Sequence, residues 1–526
     1  MSKHIHLSLP QQKAPNTQID VLKIKTERNH LGLLKTLLVV FLIFLQFAVL
    51  ISSYLFFFAF FNWLITFSFI ASLITCIYVL STNKNSQSKP IWILFLVLCF
   101  SFGYIIYFIS DERVFWHKHK KRYNKILLES NDLSTANINS PTSKSFENNC
   151  DYLKSVGNFN AYTNTHTEYF ASGTTFFDEV LKELQNATKF VFMEFFIVSD
   201  GVLLKRFLSI LEEKVKQGVD VRLIYDDLGS HGTFSRKTKK LIKKSGIKLV
   251  SFNKLLQKFS MLLNYRDHRK IVVIDGKIAF TGGANLADEY INEKRLHGYW
   301  KDAGVKMVGP ATDGFTLMFL RQWAFATKTE VKFESFINLA EPQQNNSVLV
   351  PYADGLEYDA NIGKNAYTNM IANANEKIYI MSPYFVIDDT IKTLLINKAR
   401  SGVDVRIILP EIADKKIVYI ITRNNAEKLF EHGIKIYTMK NSFVHSKIML
   451  TESSAIVSSI NMDLRSFYQQ FESAVLLNDS KVINEINLDF EKTFSYSNLL
   501  TKETLKRNKF TFRLIAGITN IISPFM

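Results

Sequence analysis

Polar and strongly apolar stretches alternate along the first part of the chain. Residues 1–35 form a polar, basic arm, residues 36–83 contain no Asp, Glu, Lys or Arg, and a second uncharged run extends from Pro90 to Ser110. One bilayer crossing takes about 20 apolar residues, and helices of soluble proteins rarely run this long without a charge. The pattern therefore predicts a membrane anchor over residues 36–110, built from two to three transmembrane helices.

The next segment, residues 111–150, changes from basic to polar. Residues 111–125 are rich in Lys and Arg, and residues 131–150 are rich in Asn, Ser and Thr, which is typical of a linker. Lys and Arg accumulate on the cytoplasmic side of membrane helices, so we expect a multi-pass protein of the cell membrane whose C-terminal part lies in the cytoplasm. The N-terminal arm is about equally basic, which leaves the span count and the side of the N-terminus open.

Beyond residue 150, short apolar runs alternate with amphipathic stretches, and the pattern occurs twice. Lys189–Phe196 parallels Lys377–Phe385, and Gly218–Ile224 parallels Gly402–Ile408. Alternating strands and helices are typical of α/β units around a mostly parallel sheet. The fold class predicted here is therefore α/β, with two tandem α/β/α domains packed as a pseudo-dimer behind the transmembrane helices. We place the two halves at residues 151–335 and 336–510, followed by an apolar C-terminal tail at residues 511–526.

The composition limits the classes of molecule that the protein is expected to bind. The 526 residues carry 64 Lys+Arg against 48 Asp+Glu, a net charge of +16, which favours a polyanion such as nucleic acid or an anionic membrane surface. The uncharged runs favour the membrane. The three cysteines, Cys76, Cys99 and Cys150, give neither a disulfide framework nor metal-ligand spacing.

The first of two related motifs begins at His268. Lys270 follows two residues later, and Asp275 lies five residues beyond the lysine, at the end of a β-branched run. A glycine turn and a second apolar run then lead to Asn285, which predicts a strand, a tight turn and a strand. Because side chains two apart on a strand share a face, His268 and Lys270 are expected to project together.

The second motif repeats these residue types in the other half of the chain. His445 and Lys447 are followed by Glu452 and then by Asn461. One His-x-Lys pair on a strand would be weak evidence for a site, whereas two copies with the same following residues are hard to ascribe to chance. A degenerate, inactive second half is the alternative that these residues leave open.

Two such motifs suit phosphodiester transfer. One imidazole can attack phosphorus and form a covalent intermediate, while a second protonates the leaving oxygen. Lysine and asparagine side chains can hold the phosphoryl oxygens, and a carboxylate can fix the tautomer of a histidine. No metal or cofactor is then required. Since nucleophile and acid must flank one phosphorus atom, we expect a single site at the interface of the two halves.

The arrangement His268-x-Lys270-x4-Asp275, followed by Gly282-Gly283-x-Asn285, resembles the signature of the phospholipase D superfamily. Further segments make the chain similar to bacterial cardiolipin synthases, from about residue 90 to the C-terminus. These segments are Tyr225–Gly229, Asn264–Asp267 and Asn461–Phe467.

The resemblance implies a membrane-bound phosphatidyltransferase that joins two phosphatidylglycerol molecules into cardiolipin and glycerol through a phosphatidyl-histidine. His268 is taken as the nucleophile and His445 as the acid and base, and exchanging the two leaves the other roles intact. Four side chains are expected to hold the phosphate, and two acids to orient the imidazoles. The phosphate ligands are Lys270, Lys447, Asn285 and Asn461, and the acids are Asp275 and Glu452.

Two departures and three alternatives accompany this hypothesis. The family has Asp where this chain has Glu452, and the interval from Glu452 to Asn461 is one residue shorter than in the first motif. Water in place of the lipid hydroxyl would make the protein a phospholipase D. A nuclease would fit the basic charge but has no use for the spans, and an inactive membrane scaffold would fit Glu452. The sequence leaves the oligomeric state and the acceptor preference open.

Overall fold

The computed structural model describes residues 37–55, 58–82, 88–110, 112–131, 133, 142–254 and 265–505. The predicted N-terminal arm at residues 1–35 and the predicted apolar tail at residues 511–526 lie outside these described residues.

The described part of residues 37–110 contains four helices: α1 (Leu37–Leu55), α2 (Phe58–Ser81), α3 (Lys89–Leu98) and α4 (Gly103–Ser110). Helices α1 and α2 are long and apolar enough to cross a membrane, and most of their side chains are exposed rather than packed. The second uncharged run is not one continuous helix, because α3 ends at Leu98 and α4 begins at Gly103, with turns between them. The number of membrane spans stays a prediction.

Two further helices connect the anchor to the sheets, α5 (Glu112–Ser130) and α6 (Lys144–Gly157). Helix α6 begins inside the predicted linker, where the side chain of Ser143 accepts a hydrogen bond from the Phe146 N–H and caps the helix. It buries Phe146, Cys150 and Leu153. Polar residues dominate the composition of this segment, but these three apolar positions recur at helical spacing, so residues 144–150 are helix rather than linker.

The first half contains a seven-stranded sheet in the order β1-β9-β7-β6-β2-β3-β4. Its strands, with two short ones outside the sheet, are β1 (His166–Phe170), β2 (Phe190–Phe195), β3 (Asp220–Asp226), β4 (Lys248–Phe252), β5 (Arg266–Asp267), β6 (Lys270–Ile274), β7 (Ile278–Gly282), β8 (Tyr299–Lys301) and β9 (Gly304–Val308). Its helices are α7 (Gly173–Gln185), α8 (Val202–Lys216), α9 (Arg236–Lys244) and α10 (Thr312–Thr327).

The second half builds a sheet in the order β10-β19-β17-β16-β11-β13-β14-β20. The strands of this half are β10 (Leu349–Asp354), β11 (Lys377–Met381), β12 (Phe385–Val386), β13 (Asp404–Pro410), β14 (Lys435–Met439), β15 (Ser442–Val444), β16 (Ile448–Leu450), β17 (Ala455–Ser458), β18 (Met462–Asp463), β19 (Gln470–Leu477) and β20 (Ser497–Leu499). Its helices are α11 (Ile362–Asn373), α12 (Asp389–Arg400), α13 (Lys416–Phe430), α14 (Leu464–Gln469), α15 (Ser480–Ser495) and α16 (Lys502–Leu505).

The first seven strands of the second sheet follow the same order and directions as the seven of the first, so the predicted duplication is confirmed. In each half three parallel strands, β2-β3-β4 or β11-β13-β14, continue into antiparallel strands that include the predicted hairpin. Helix α10 is buried along nearly its whole length and packs against both sheets. The core is therefore continuous across the two halves.

The halves also exchange short strands. Strand β5 of the first half pairs in parallel with β19 of the second, and β15 of the second half pairs in parallel with β8 of the first. His268 directly follows β5, and His445 directly follows β15. Both histidines therefore lie where one half crosses onto the other.

Candidate active site

His268 is held from both sides by the second half. Its backbone N–H donates to the Phe471 carbonyl at 2.8 Å, and its ring Nδ1 lies 2.9 Å from both carboxyl oxygens of Glu472. The imidazole also meets the Phe196 ring edge to face, with 4.9 Å between ring centroids. With its Nδ1–H on a carboxyl group, the ring directs Nε2 away from Glu472 as a lone-pair donor.

His445 is held in the same way by the first half. Its N–H donates to the Lys301 carbonyl at 2.7 Å, and its Nδ1 lies 2.7 Å from Asp302 Oδ2. Its ring packs against Tyr290 and Trp300, at centroid distances of 5.2 and 5.4 Å. Each imidazole is thus bonded to an acid of the opposite half, so the site exists only when the two halves are joined.

The motif lysines project beside the imidazoles, as the two-residue spacing predicts. The Lys270 ammonium donates to the His268 carbonyl. The Lys447 ammonium donates to the His445 carbonyl and lies 2.9 Å from Nδ1 and 3.1 Å from Nε2 of the His445 ring. Burial lowers the pKa of Lys270 to about 7 and that of Lys447 to about 8. A bound phosphodiester would favour both charged forms, so these amines suit phosphate binding.

Burial and the neighbouring amines also lower the pKa values of the two histidines. The pKa of His268 lies well below its usual value because of burial, with the charges of Lys270 and Lys447 adding to the effect. Burial and Lys447 lower the pKa of His445 to about 4, although the Asp302 carboxylate raises it. Burial raises the pKa of Glu472 well above its usual range. His445 therefore has the partner that better stabilises an imidazolium.

The two motif asparagines differ in their contacts, and their predicted role as phosphate ligands stays a prediction. Asn285 Oδ1 accepts from the Ile197 N–H at 3.0 Å, and its Nδ2 donates to the Tyr290 hydroxyl at 2.6 Å. This ties the end of β2 to the aromatic ring that packs on His445. Asn461 Oδ1 is buried and has no hydrogen-bond partner among the described residues.

Asp275 does not contact an imidazole. Its carboxylate accepts bonds of 2.7 to 2.8 Å from the backbone N–H groups of Thr188, Lys189 and Phe190 and from the Thr188 hydroxyl. These bonds outweigh burial, so the pKa of Asp275 is lowered. A strand advances about 3.3 Å per residue, which carries Asp275 to the far end of β6 from His268. The expectation that Asp275 orients an imidazole is wrong.

Glu452 occupies the equivalent position in the second half. It accepts from the backbone N–H groups of Asn375, Glu376 and Lys377 at 2.9, 3.4 and 3.5 Å, at the start of β11. Glu452 therefore binds the backbone at the start of β11 and does not orient His445. The extra methylene relative to Asp is harmless in this role, which removes the main argument for a degenerate second half.

The pair of small residues that comes shortly before each motif asparagine differs between the halves, being Gly282-Gly283 in the first and Ser458-Ser459 in the second. A Cβ on Gly283 would overlap Asp302 Oδ1 and lie 2.9 Å from the His445 carbonyl, so glycine is needed where the halves approach. The equivalent residue in the second motif is Ser459, whose hydroxyl donates to Glu472. Gly283 thus leaves room for Asp302, whereas Ser459 binds Glu472 directly.

Sequence reasoning missed Asp302 and Glu472, which lie far from the motif histidines in the chain. The sequence nevertheless contains a pattern that could have revealed them. Each acid is followed by two small residues and a valine, at Asp302–Val305 and Glu472–Val475. The first run leads into β9 and the second lies in β19, and these strands hold the same place in the two sheets. Among the described residues, no group of three or more His, Cys, Asp or Glu side chains is arranged to hold a metal ion.

Two α/β halves that share one strand order and contribute one His-Lys pair each define a phospholipase D-type enzyme. The fold is similar to that of phosphatidylserine synthase from Haemophilus influenzae, with a TM-score of 0.56 over 73% of this chain and 100% of that chain at 13% identity. That likeness concerns the fold alone.

Sequence comparison then gives the family. Residues 180–295 and 367–494 match the family model described as cardiolipin synthase, PLD-like domain. A cardiolipin synthase from Geobacillus sp. (strain WCH70) is 33% identical over 69% of this chain and 72% of its own length. An uncharacterized protein from Streptococcus mutans is 38% identical over 72% of this chain and 82% of its own. The chain belongs to the cardiolipin synthase family, and it is a membrane-associated phosphatidyltransferase that acts on phospholipid.

Proposed function

We propose that the protein transfers a phosphatidyl group between two phosphatidylglycerol molecules, giving cardiolipin and glycerol through a covalent phosphatidyl-histidine. The observation that carries this proposal is the pair of imidazoles, each bonded at Nδ1 to a carboxyl group of the opposite half. Such a pair can supply a nucleophile and an acid around one phosphorus atom.

In the first step, His268 Nε2 attacks the phosphorus of the first lipid. The phosphorus–nitrogen bond forms, the bond from phosphorus to the headgroup glycerol oxygen breaks, and protonated His445 gives its proton to that oxygen. Lys270 and Lys447 neutralise the charge on the phosphoryl oxygens. Glycerol leaves, and neutral His445 remains beside the intermediate.

In the second step, a hydroxyl of the second phosphatidylglycerol gives its proton to His445. Its oxygen forms a bond to phosphorus while the phosphorus–nitrogen bond breaks, which releases cardiolipin and restores both histidines. The assignment of His268 as nucleophile is supported by its carboxyl partner, since the raised pKa of Glu472 makes it a poor counter-ion for imidazolium. Asp302 raises the pKa of His445 against the larger lowering effects of burial and Lys447, and a bound phosphodiester anion would favour the protonated form that the acid role requires.

We further infer a multi-pass topology with both halves on the cytoplasmic side. Among the described residues, only α1 and α2 are both long and apolar enough to cross, whereas α3 is 10 residues and α4 is 8, or about 15 and 12 Å. Two crossings would place the N-terminal arm and residues 111–125 on one side, which agrees with the basic charge of both. An N-terminal tag that is labelled from outside intact cells would contradict this topology.

The test of the reaction uses the full chain in detergent micelles with phosphatidylglycerol labelled in its headgroup phosphate, with chelator present. Labelled cardiolipin should appear together with unlabelled glycerol, which is measured separately. His445→Ala should abolish both products, while the control His166→Ala, at a partly exposed position, should abolish neither. Phosphatidic acid as the sole product would mean that water is the acceptor. Cleavage of labelled DNA in the same preparation would favour the nuclease alternative, whereas unchanged DNA supports a lipid-specific enzyme.

A further inference from the structure

Two short segments, one from each half, present the same unusual surface. Lys294-Arg295-Leu296 and Lys415-Lys416-Ile417 each place an exposed aliphatic side chain directly after two exposed cations. Leu296 is 62% exposed and Ile417 is 48% exposed. We call these the first and second rim segments.

The rim segments are neighbours across the joint between the halves. The first leads through Gly298 into β8, where a Cβ on Gly298 would lie 3.0 Å from Ile412 Cδ1. Ile412 precedes the second rim segment, and its N–H donates to the Ser442 carbonyl at the start of β15, at 3.2 Å. Both segments therefore border the paired start of β8 and β15.

That position is one strand length from the reacting groups. Strands β8 and β15 lead directly into Asp302 and His445, and four residues of strand span about 13 Å from Asn441 to His445. The Lys415 ammonium lies over the Tyr384 ring, 5.0 Å from its centroid, and its charge contributes to the lowered pKa of His268. The second rim segment is thus at the edge of the site itself.

Two acids beside the second rim segment, Glu411 and Asp414, are partly buried and engaged in hydrogen bonds, whereas Glu293 before the first segment is exposed. Glu411 accepts from the Asn441 N–H at 2.7 Å and from Asn498 Nδ2 at 3.0 Å, and Asp414 accepts from the Tyr384 hydroxyl. The cations Lys294, Arg295 and Lys416 and the aliphatic side chains of Leu296 and Ile417 are exposed. Cations at headgroup phosphates with an aliphatic group beneath them are the combination by which protein surfaces bind anionic bilayers.

We propose that the two rim segments form a membrane-contact surface that docks the opening of the site onto an anionic bilayer, with Leu296 and Ile417 inserted below the headgroups. The proposal rests on the proposed function only in that the substrate is an anionic lipid within the membrane. Docking holds the site against the surface from which both lipids must enter, while α1 and α2 tether the protein.

The first test reads contact without using catalysis. An environment-sensitive dye is placed on Leu296→Cys, Ile417→Cys or the control Leu488→Cys, each in a His445→Ala background, in full-length protein reconstituted into vesicles. Leu488 on α15 is the control because it is 60% exposed but lies away from the rim segments. Its neighbour Asn487 accepts a hydrogen bond from Lys377, the first residue of β11. With about 30% phosphatidylglycerol in phosphatidylcholine, both rim dyes should report an apolar environment that is lost at high salt. Rim dyes as water-exposed as the control would overturn the proposal.

The second test separates docking from damage to the site. Leu296→Ser/Ile417→Ser should lower kcat/KM on vesicle phosphatidylglycerol by about tenfold but leave it unchanged on dispersed short-chain phosphatidylglycerol. Leu488→Ser should change neither. An equal loss on both substrates would contradict the docking role, since dispersed lipid needs no docked surface. Absence of cardiolipin in every sample would defeat the proposed function, while the dye result would still decide the surface.

Discussion

The two halves of the molecule share a strand order but surround their histidines differently. In the second half, His445 contacts Asp302, which approaches closely because Gly283 has no side chain. In the first half, His268 contacts the longer Glu472, whose carboxyl group also accepts from Ser459. Duplication supplied two equivalent positions, and the differing acids can divide two chemical roles between them.

The largest effect is expected from the histidines themselves. His268→Ala and His445→Ala should each lower kcat on phosphatidylglycerol by at least about 10³-fold. With a phosphatidyl ester of p-nitrophenol, whose leaving oxygen needs no proton, His445→Ala should recover a burst of p-nitrophenol and His268→Ala should not. A burst from His268→Ala alone would exchange the two roles.

The acid partners should differ next. Asp302→Asn removes a charge that raises the pKa of His445, so we expect a loss of about 10² to 10⁴ in kcat. Because the reaction needs protonated His445, a lower pKa moves the high-pH decline of kcat to lower pH. Glu472→Gln should lower kcat less than Asp302→Asn does, and the high-pH decline of kcat should stay at the same pH. The reason is that a neutral amide can imitate a carboxyl group of raised pKa. Profiles of kcat against pH measure both, and identical profiles would remove the distinction between the halves.

The small residues sharpen the same contrast. Gly283→Ala places a methyl group against Asp302, so kcat should fall by about 10²-fold as the acid is displaced from His445. Ser459→Ala removes one hydrogen bond to Glu472, worth about 1 kcal/mol, and should cost about fivefold. A larger loss in Ser459→Ala than in Gly283→Ala, measured in one assay, would be inconsistent with these contacts.

The smallest effects on chemistry should come from the motif acids. Asp275→Asn weakens four hydrogen bonds at the start of β2 and should lower the free energy of unfolding by about 1–3 kcal/mol. Glu452→Gln, at a partly buried position with longer bonds, should lower it by less than about 1 kcal/mol. Thermal unfolding and kcat per folded protein separate stability from activity. A drop in kcat as large as that of Asp302→Asn, without a change in melting, would restore Asp275 as an orienting acid.

Local pattern was enough to predict the duplicated α/β fold and the shared direction of each His-Lys pair. It was also enough to predict the hairpin that follows His268, since Asp275 and Gly276 adopt the positive φ values, 54° and 67°, that a tight hairpin turn requires. These features depend on neighbours in sequence. The family resemblance added the enzyme class.

Contacts between the halves could not be predicted in this way. Asp275 lay at a spacing that suggested a triad, but its carboxylate satisfies the backbone at a strand end, while the acid on His268 comes from Glu472, 204 residues later. The strand exchange through β5 and β15 involves only two or three residues each, too short for a periodic signal. The break between α3 and α4 likewise left no charged residue to mark it.

The most direct test of the account is to locate the covalent intermediate. The His445→Ala variant is mixed with the p-nitrophenyl ester labelled in its phosphate, quenched in alkali, where phosphohistidine survives, and digested for peptide mapping. The label should lie on the peptide that contains His268, and Asp302→Asn should not move it. Label on any other residue, or release of p-nitrophenol without labelled protein, would contradict a covalent role for His268.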